Sequence, residues 1–436
     1  MPSFDPIPRA ELAERRRRFQ SQLGEGVAIV GGARSRTRSH DTDYPFRQDS
    51  DLWYLTGWEQ PEAVAVLTQR RFTFFVQPRD PLLETWNGRR PGTEGAVSQF
   101  GADEAYPIAE LASRLPGLVE NKPRLWHSFG RDRELDDRIV AALSDVRGRA
   151  RRGVTAPGEV LSPHDAIHEL RLRKSPGELE LMRGASAISA EAHHRAAHLC
   201  RPGVREYELE AELLRVFRRG GGSGPAYNPI VGAGDNATIL HYVENRDPLA
   251  PDQLVLIDAG VELQGYASDV TRTYPVGGRF QGAARDVYQA VLDAQSAAFR
   301  AVTPGVTLPD IHAAALRQLV LGLIALGALS GDVDELIKTE AYRPFYMHST
   351  GHLLGLDVHD VGSYYVDGKP RPLEPGMCFT IEPGLYFSST EPKSPPQLRG
   401  IGVRIEDDVV ITPGGYENLT AAIPKEIADV EAWMRS

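Results

Sequence analysis

Residues 254–260 read LVLIDAG, an apolar run of strand length that ends on Asp258 and then reaches Gly260. Runs of this length that are bounded by a glycine are typical of buried strands. A carboxylate at the end of a buried strand serves chemistry more often than packing, because burying an acid costs free energy unless it is paired or binds a cation. Asp258 is therefore the first candidate for a functional residue.

A second acid, Asp269, follows eleven positions later (269 − 258 = 11) in ASDVTRT, residues 267–273, which is also rich in strand formers. Gly265 separates the two runs, so we predict a hairpin that brings Asp258 and Asp269 side by side. Two carboxylates at that range repel, and one takes up a proton unless a cation lies between them. The pair therefore predicts a metal site.

The sequence around Asp258 is echoed further along the chain. PLAP at residues 248–251 leads to Asp258, and PLEP at residues 372–375 leads to Glu382, with one offset (372 − 248 = 124 and 382 − 258 = 124). The helix-like stretches upstream end at RPGV, residues 201–204, and at TPGV, residues 303–306. We interpret the echo as a duplicated helix-turn-helix-strand unit whose halves face Asp258 and Glu382 toward one centre. Chance matches of Pro, Leu and Gly are common and remain the alternative explanation.

Three histidines, His348, His352 and His359, lie in the apolar segment FYMHSTGHLLGLDVHD, residues 345–360. His348 and His352 have the i, i+4 spacing of a zinc-protease helix, but that motif needs a Glu after the first His and this chain has Ser349. The zinc-protease motif is therefore excluded. Three histidines in so apolar a run, beside a set of acids, favour a functional site over a structural role.

Five candidate metal ligands emerge from these segments and from GVRIED at residues 402–407. They are Asp258, Asp269, His352, Glu382 and Glu406. Four carboxylates and one imidazole suit hard divalent ions, and two such ions neutralise the four acidic charges. The sequence predicts a dinuclear metal centre.

Five segments in this order resemble the pita-bread metallopeptidases, and the resemblance covers essentially the whole chain. They are residues 254–258, 268–273, 348–359, 380–384 and 402–407. Within that superfamily the likeness is greatest to the Xaa-Pro aminopeptidases, also called the aminopeptidase P family. The resemblance implies hydrolysis of the peptide bond between an N-terminal residue and a following proline. An X-Pro amide carries no N–H, so the pocket must instead fit a pyrrolidine ring.

The resemblance also implies roles for the candidate ligands. Two divalent ions would have Asp258 on one side, His352 and Glu382 on the other, and Asp269 and Glu406 bridging them. A water shared by two such ions becomes hydroxide at neutral pH, and this metal-bridging hydroxide is the expected nucleophile. Manganese is the expected metal because carboxylates outnumber imidazoles, with zinc or cobalt as alternatives.

Three histidines match residues that act on the substrate in the family. His348 resembles the histidine that stabilises the oxyanion formed when the peptide carbonyl is attacked. His241 and His359 match histidines that contact the substrate and help to move protons. All three are therefore expected to bind substrate and to take part in catalysis.

Two charged residues are assigned further catalytic roles. Glu382 is the carboxylate expected to handle the proton of the nucleophile. Arg404 lies two residues before Glu406, so it would share a strand face with that ligand and balance the anionic site. The alternative is that Arg404 pairs with a surface acid such as Asp407.

A domain boundary is predicted at residue 172. Ser175 can cap a new helix, Pro176 suits its first turn, and Glu178 completes a capping box. The preceding segment alternates strand-like and helix-like stretches, which is typical of an α/β domain. We predict an α/β N-terminal domain, residues 1–172, that resembles those of creatinase and aminopeptidase P. Residues 173–436 would form an α+β catalytic domain of the pita-bread type with pseudo-twofold internal duplication.

Two N-terminal segments also look like aminopeptidase P. QDSDLWYLTG, residues 48–57, resembles a hallmark of the N-terminal domain, and WNGRR, residues 86–90, resembles the aminopeptidase P version of its segment. On this likeness Trp86 would reach an active-site mouth, that of a neighbouring subunit, and bind substrate. The alternative is that Trp86 is an ordinary half-buried aromatic.

Composition excludes several functions. The 436 residues carry a net charge of −10, which speaks against nucleic-acid binding, and RRRR at residues 15–18 is expected on a solvated helix face. Two cysteines, Cys200 and Cys378, suit a reducing compartment. No stretch approaches the roughly twenty apolar residues of a membrane span, and the most apolar helix candidate, residues 319–329, is too short. We expect a soluble, cytoplasmic protein.

Other members of the superfamily provide the alternatives. Prolidase, which cleaves only Xaa-Pro dipeptides, shares the fold, both metals and the ligand types. A non-catalytic pita-bread protein that binds peptides or proteins, or a metal-free creatinase, is disfavoured by the complete set of five ligands. The expected partners are peptides with proline in the second position and other copies of the chain, in a dimer or tetramer.

Overall fold

The computed structural model describes residues 6–436, which form two compact units, residues 6–171 and residues 172–436. Each unit has its own sheets and its own apolar core. The first five residues of the predicted N-terminal domain lie outside the described residues.

The N-terminal unit alternates strands and helices. Its strands are β1 (Val27–Gly31), β2 (Thr37–Ser39), β3 (Thr42–Asp43), β4 (Val64–Thr68), β5 (Phe72–Val76), β6 (Glu104–Pro107), β7 (Arg124–Trp126) and β8 (Glu159–Leu161). Its helices are α1 (Arg9–Gln20), α2 (Ser50–Thr56), α3 (Pro81–Asn87), α4 (Gly92–Ser98), α5 (Leu111–Val119), α6 (Arg133–Gly148) and α7 (His164–Leu172).

Six of these strands form one mixed sheet in the order β6-β5-β4-β1-β7-β8. Alternate residues of a strand share a face, so Val27 and Ile29 of β1 and Val64 and Val66 of β4 point to the same side. There they meet apolar residues of α5 and α6 in one buried cluster. This layering of helices on a mixed sheet is the predicted α/β architecture.

The basic run at residues 15–18 lies only partly in solvent, so the predicted solvated face was half wrong. Arg15 and Arg16 are 3% and 6% exposed. The Arg16 guanidinium donates to the Leu55 carbonyl at 2.8 Å, and that of Arg15 lies over the Tyr54 ring. Buried arginines are tolerated because carbonyl and aromatic partners replace water. The run therefore joins α1 to α2.

The C-terminal unit contains the predicted ligands. Its strands are β9 (Gly224–Pro225), β10 (Ile230–Ala233), β11 (Leu254–Asp258), β12 (Val261–Leu263), β13 (Tyr266–Ala267), β14 (Thr271–Pro275), β15 (Tyr365–Val366), β16 (Lys369–Pro370), β17 (Cys378–Ile381), β18 (Gly384–Phe387), β19 (Ile401–Arg404), β20 (Asp407–Thr412) and β21 (Gly415–Asn418). Its helices are α8 (Pro176–His198), α9 (Glu206–Arg219), α10 (Gly282–Ala301), α11 (Leu308–Ala325), α12 (Val333–Lys338) and α13 (Ile427–Trp433).

The first helix of this unit begins as the sequence predicts. Ser175 is the N-cap of α8, its side chain accepts from the Glu178 N–H, and the Glu178 side chain accepts from the Ser175 N–H. Pro176 occupies the first turn, where its missing N–H costs nothing. The predicted capping box is confirmed.

The predicted internal duplication is visible in the backbone. The helix pairs α8–α9 and α10–α11 each precede ligand-bearing strands. In the turn between the first pair, the Gly203 N–H donates to the Leu249 carbonyl at 2.8 Å, and in the turn between the second, the Gly305 N–H donates to the Leu373 carbonyl at 2.7 Å. Leu249 and Leu373 are separated by the predicted offset of 124 residues (373 − 249 = 124). Each half thus has the same main-chain hydrogen bond, which joins the turn between two helices to the loop that precedes a ligand-bearing strand.

One helix of the described residues, α11, is long and apolar enough by length and composition to cross a membrane. It runs from Leu308 to Ala325, 18 residues, so the prediction that the helix around residues 319–329 is too short for a span was wrong. Such a helix is weak evidence of a span because core helices meet the same criteria. Ile311 and Ala315 of α11 are buried in the core that includes Phe379 of β17.

Candidate metal centre

An antiparallel sheet positions the first two acids. β11 lies between β10 and β14, and Asp258, its last residue, pairs in register with Thr271. Asp269 precedes β14 by two residues and lines the same cavity as Asp258. Both side chains are buried. The chain reversal between β11 and β14 therefore brings the two aspartates to one site.

A close crossing of two main-chain segments positions His352 and Glu382. The Thr380 N–H donates to the His352 carbonyl at 2.9 Å, and the Glu382 N–H donates to the Thr350 carbonyl at 2.8 Å. A Cβ added to Gly351 would lie 1.9 Å from the Thr380 carbonyl oxygen. Only glycine allows this approach, so Gly351 sets the distance between the two ligand segments.

Glu406 is fixed through both its backbone and its side chain. The fully buried Arg272 donates to the Glu406 carbonyl at 2.5 Å and to the Asp407 carboxylate at 2.6 Å. The Glu406 N–H donates to the Thr271 carbonyl at 3.0 Å, and the Thr271 hydroxyl donates to Glu406 Oε2 at 2.7 Å. This support holds the carboxylate in place although the residue is buried.

The ligand atoms of Asp269, His352 and Glu406 lie within 4.8 Å of one another. His352 Nε2 is 3.2 Å from Asp269 Oδ2 and 3.6 Å from Glu382 Oε1. The other ring nitrogen, Nδ1, lies 3.0 Å from the Leu353 carbonyl, to which it donates. A hydrogen bond of this kind orients a metal-binding imidazole with Nε2 toward the ion.

The carboxylates of the candidate metal centre repel one another. Burial raises the pKa of Asp258 and of Glu406, and it raises that of Glu382 to about 7, with repulsion from neighbouring carboxylates adding to each effect. Burial alone would lower the pKa of His352, but the hydrogen bond and the charge of Asp269 outweigh it and raise the value to about 9. Divalent cations would relieve the repulsion in place of protons. The donor set therefore fits divalent metal ions.

All nine residues predicted around the metals line one cavity of about 650 Å³. They are Asp258, Asp269, His352, Glu382, Glu406, His241, His348, His359 and Arg404. Apolar side chains complete part of the wall, namely Ile230, Leu240, Val243 and Val358. The cavity thus combines a polar floor with room for an apolar ring.

Arg404 is buried and contacts the site directly. Its guanidinium donates to the Asp258 carboxylate at 2.5 Å and to the Tyr386 hydroxyl at 3.0 Å. The alternative pairing with Asp407 is not formed, because Arg272 and Lys425 hold that carboxylate. β19 ends at Arg404, so Glu406 lies in the connection to β20 and not on the strand face that we predicted, although both side chains reach the cavity.

His348 lies in an irregular segment, and it therefore lacks the helical geometry of a zinc protease. Its Nδ1 is 2.7 Å from the Ser349 carbonyl, to which it must donate. Its Nε2 then accepts from the Tyr386 hydroxyl at 2.8 Å. Burial, together with the Arg404 charge, lowers the pKa of His348 to about 3. The ring is neutral and its Nε2 carries no proton. The ring must therefore turn, or move its proton to the other nitrogen, before it can donate to an oxyanion.

The other two predicted histidines lie at the exposed rim of the cavity. The His359 ring contacts the His352 ring edge-on, with 4.3 Å between their centroids. Burial and the His352 charge lower the pKa of His359. Both His241 and His359 are therefore accessible to a ligand in the cavity.

Trp86 lies on α3, where its side chain is 85% exposed. No residue of α3 is buried. The interpretation of Trp86 as a half-buried aromatic is therefore wrong. A tryptophan this exposed is available to a ligand or to another protein surface.

Besides Arg272, Thr271 and Gly351, three residues that the sequence did not predict support the site. The Tyr227 hydroxyl donates to Asp258 Oδ1 at 2.6 Å, and the Asp408 carboxylate accepts from the Asp269 N–H at 3.1 Å. Tyr386 joins Arg404 to His348. Neither tyrosine lies in a motif, and only the acidic triplet of residues 406–408 gave a signal for Asp408.

Comparisons with known proteins agree with this geometry. Residues 180–413 match metallopeptidase family M24, and residues 12–126 match the N-terminal domain of aminopeptidase P. The Xaa-Pro aminopeptidase of Escherichia coli is 44% identical over 434 residues, which cover 98% of both chains.

Two solved structures also match over nearly their full length. Aminopeptidase PepP of Pseudomonas aeruginosa has a TM-score of 0.96 at 46% identity, covering 98% of each chain. A variant of Escherichia coli aminopeptidase P in complex with substrate has a TM-score of 0.95 at 43% identity, covering 99% of each chain. The predicted fold class, an α/β N-terminal domain followed by a pita-bread domain with internal duplication, is confirmed. The chain belongs to metallopeptidase family M24.

Proposed function

We propose that this chain is a dinuclear Xaa-Pro aminopeptidase, which hydrolyses the bond between an N-terminal residue and a following proline. The observation that carries the proposal is the convergence of all five candidate ligands on one cavity. The 44% identity to an Xaa-Pro aminopeptidase over nearly the whole chain supports the choice of substrate. No observation favours the dipeptidase alternative.

Asp258, Asp269, His352, Glu382 and Glu406 would together hold two divalent ions. The chemistry that divalent ions supply at such a site is the activation of water and the polarisation of the scissile carbonyl. Manganese remains the proposed metal because four of the five ligands are carboxylates. The protein's own contribution is to fix these groups through Arg272, Thr271 and the close approach at Gly351.

Proton transfer is assigned to Glu382. Its carboxylate lines the cavity beside the other ligands, where it can accept a proton from the attacking water and release it again. The leaving proline nitrogen has no proton of its own and must receive one when the bond breaks. Glu382 therefore serves as base first and as acid afterwards.

Arg404, Tyr386 and His348 form a hydrogen-bonded row beside the ligands. Arg404 donates to Tyr386, and Tyr386 donates to His348. The Ser349 carbonyl holds the ring proton of His348 on Nδ1, so the ring must turn this N–H toward a substrate oxygen before it can donate. We propose that His348 meets the oxyanion in this way, and that Arg404 balances the carboxylate of Asp258.

The cavity wall matches the substrate. Leu240, Val243 and Val358 offer apolar surface for a pyrrolidine ring, and His241 and His359 offer imidazoles at the rim. A pocket of this kind recognises proline by shape, since the X-Pro amide has no N–H to bind.

The remaining proposals concern organisation. We propose an N-terminal domain of residues 1–172 and a catalytic domain of residues 173–436, which agrees with the division of the described residues into two compact units. We also propose a cytoplasmic homo-oligomer, a dimer or tetramer, in which Trp86 reaches the active-site mouth of a neighbouring subunit. The 85% exposure of Trp86 supports such a role.

The test is an assay of manganese-loaded enzyme on Gly-Pro, Gly-Pro-Xaa and longer Xaa-Pro peptides, with Gly-Ala-Xaa as the control. We expect release of the first residue from the proline tripeptides and longer peptides, with little cleavage of Gly-Pro and none of the alanine control. Cleavage restricted to Gly-Pro would establish the dipeptidase instead. Tight binding of two metals without cleavage of any peptide would favour a non-catalytic protein.

A further inference from the structure

A second group of metal-binding side chains lies in the N-terminal unit. Asp51 is in the first turn of α2, and His164 and His168 are one turn apart on α7. Their ligand atoms lie within 4.8 Å of one another. Residues at i and i+4 share a helix face, and the two imidazole rings stack with 4.7 Å between their centroids. None of the three lines the catalytic cavity.

Both ring nitrogens face one carboxylate oxygen. His168 Nε2 is 3.1 Å from Asp51 Oδ2, and His164 Nε2 is 3.8 Å from the same atom. His164 Nε2 also lies 2.8 Å from the Ser128 hydroxyl and 3.2 Å from the Arg131 guanidinium, which can only donate. His164 Nε2 therefore carries a lone pair, and burial lowers the pKa of this histidine. A neutral imidazole beside a carboxylate is ready to bind a cation.

Asp51 is held from behind by a buried arginine. Arg171 donates to Asp51 Oδ1 at 2.7 Å, and both side chains are at most 5% exposed. Burial alone would raise the pKa of Asp51, but His168 and Arg171 outweigh it and lower the value to about 2. The carboxylate is therefore ionised at neutral pH. An outer partner of this kind orients a ligand, here with the second oxygen, Oδ2, toward the two imidazoles.

A cation can reach this group if one exposed arginine moves aside. Arg131 lies between two acids, 3.8 Å from Asp49 Oδ2 and 3.9 Å from Asp51 Oδ2. Its side chain is 59% exposed, so it can turn into solvent when a cation takes its place. The group opens on a cavity of about 650 Å³ that Asp49, Asp51 and His164 help to line. A hydrated ion can therefore reach the ligands.

We propose that Asp51, His164 and His168 form an additional metal site that is separate from the catalytic centre and takes ions of the zinc class. Two imidazoles and one carboxylate favour Zn²⁺, Co²⁺ or Ni²⁺ over Mg²⁺ or Ca²⁺. On binding, His168 gives its Nε2 lone pair to the ion and carries its ring proton on Nδ1. The ion would tie α2 to α7 and stabilise the N-terminal unit, since it binds only the folded state.

The test counts zinc bound to the full-length protein. Wild type, His164→Ala and His194→Ala are loaded with excess Zn²⁺, freed of weakly bound metal by gel filtration and analysed for metal per chain. His194 is the matched control because it forms another i, i+4 pair with His198 on α8, with 4.4 Å between their centroids. We expect His164→Ala to hold one zinc fewer than wild type and His194→Ala to hold the same number. This difference does not depend on how many ions the catalytic centre binds.

Peptidase activity separates the two sites. We expect His164→Ala to keep the wild-type kcat on Xaa-Pro peptides while its affinity for the additional zinc falls by at least about 100-fold, more than the loss of an outer hydrogen-bond partner causes. His164→Gln, which keeps the shape of the side chain, tests the site should the alanine variant fail to fold. Equal zinc content in wild type and both His164 variants would overturn the proposal, as would a loss of zinc in His194→Ala of the same size.

Discussion

Gly351→Ala tests whether metal binding depends on the distance between two main-chain segments as well as on the identity of the ligands. The new Cβ would lie 1.9 Å from the Thr380 carbonyl oxygen, whereas real Cβ contacts are essentially never below about 3.0 Å. The two segments must therefore separate by roughly 1.1 Å, the difference between these distances. Because His352 follows Gly351 directly and Glu382 follows Thr380 by two residues, the shift moves one ligand away from the other.

The expected size of the effect follows from this displacement. Metal–ligand distances tolerate deviations of only about 0.2 Å, so a 1 Å movement should empty at least one metal site. Misplacing a reacting group by about 1 Å costs on the order of 100-fold in rate. Overpacking a rigid backbone contact should also cost about 3 kcal/mol of folding free energy, or roughly 6–12 °C in Tm for a unit of this size.

Gly414→Ala is the matched control. Gly414 lies in the same unit, and a Cβ there would have no heavy atom within 4 Å. The assay measures bound metal, kcat on an Xaa-Pro tripeptide, and Tm for both variants and the wild type. Gly351→Ala should lose metal and activity while Gly414→Ala stays near wild type. If the two variants bind metal equally and differ by less than twofold in kcat, the reasoning from the close crossing is refuted.

Four further predictions use other residues. Asp269→Ala should abolish activity and reduce bound metal, because Asp269 is expected to contact both ions, and two retained metals with full activity would contradict this. His348→Ala should keep its metals but lose about 100-fold in turnover, and an equal loss of metal would make it a ligand. Burial lowers the folded-state pKa of His193 to about 4, below the unfolded value of about 6.5, so His193 should contribute about 2 kcal/mol to the fall in stability as pH drops from 7 to 5. In urea unfolding, the fall measured for His193→Gln should be smaller than that of the wild type by this amount. Trp86→Ala should raise the KM for longer Xaa-Pro peptides about 5-fold to 150-fold with Gly-Pro kinetics unchanged, whereas Leu82→Ala, an equally exposed change on α3, should leave both unchanged.

The metal ligands could be predicted because each stands in a local pattern. An acid at the end of an apolar run, such as Asp258, is visible without knowing what packs around it. The capping box at Ser175 and Glu178 is likewise decided within one helical turn. The repeated offset between Asp258 and Glu382 then relates distant segments, because duplicated units leave equal spacings in the sequence.

The residues that hold the ligands could not be predicted in the same way. Tyr227 reaches Asp258 across 31 positions of sequence and Tyr386 reaches Arg404 across 18, and no local pattern encodes either contact. Arg15 and Arg16 were predicted to be exposed to solvent because runs of four arginines usually are. Instead, their guanidinium groups contact a main-chain carbonyl and an aromatic ring of α2 and a ring of β5. Tertiary contacts override composition where a buried charge finds enough partners.

The duplication also explains why the two ends of the site differ. Each half supplies two acids, Asp258 with Asp269 in the first and Glu382 with Glu406 in the second, so carboxylates alone would give two equivalent ends. Two groups break this equivalence: Arg404 pairs with Asp258, and the imidazole of His352 faces Asp269 and Glu382. A cation held by Asp258 would therefore be close to a fixed positive charge, whereas one held by Glu382 would have a neutral nitrogen ligand once His352 gives up its proton. Because like charges raise the free energy of binding, we infer that the end with His352 binds its ion more tightly.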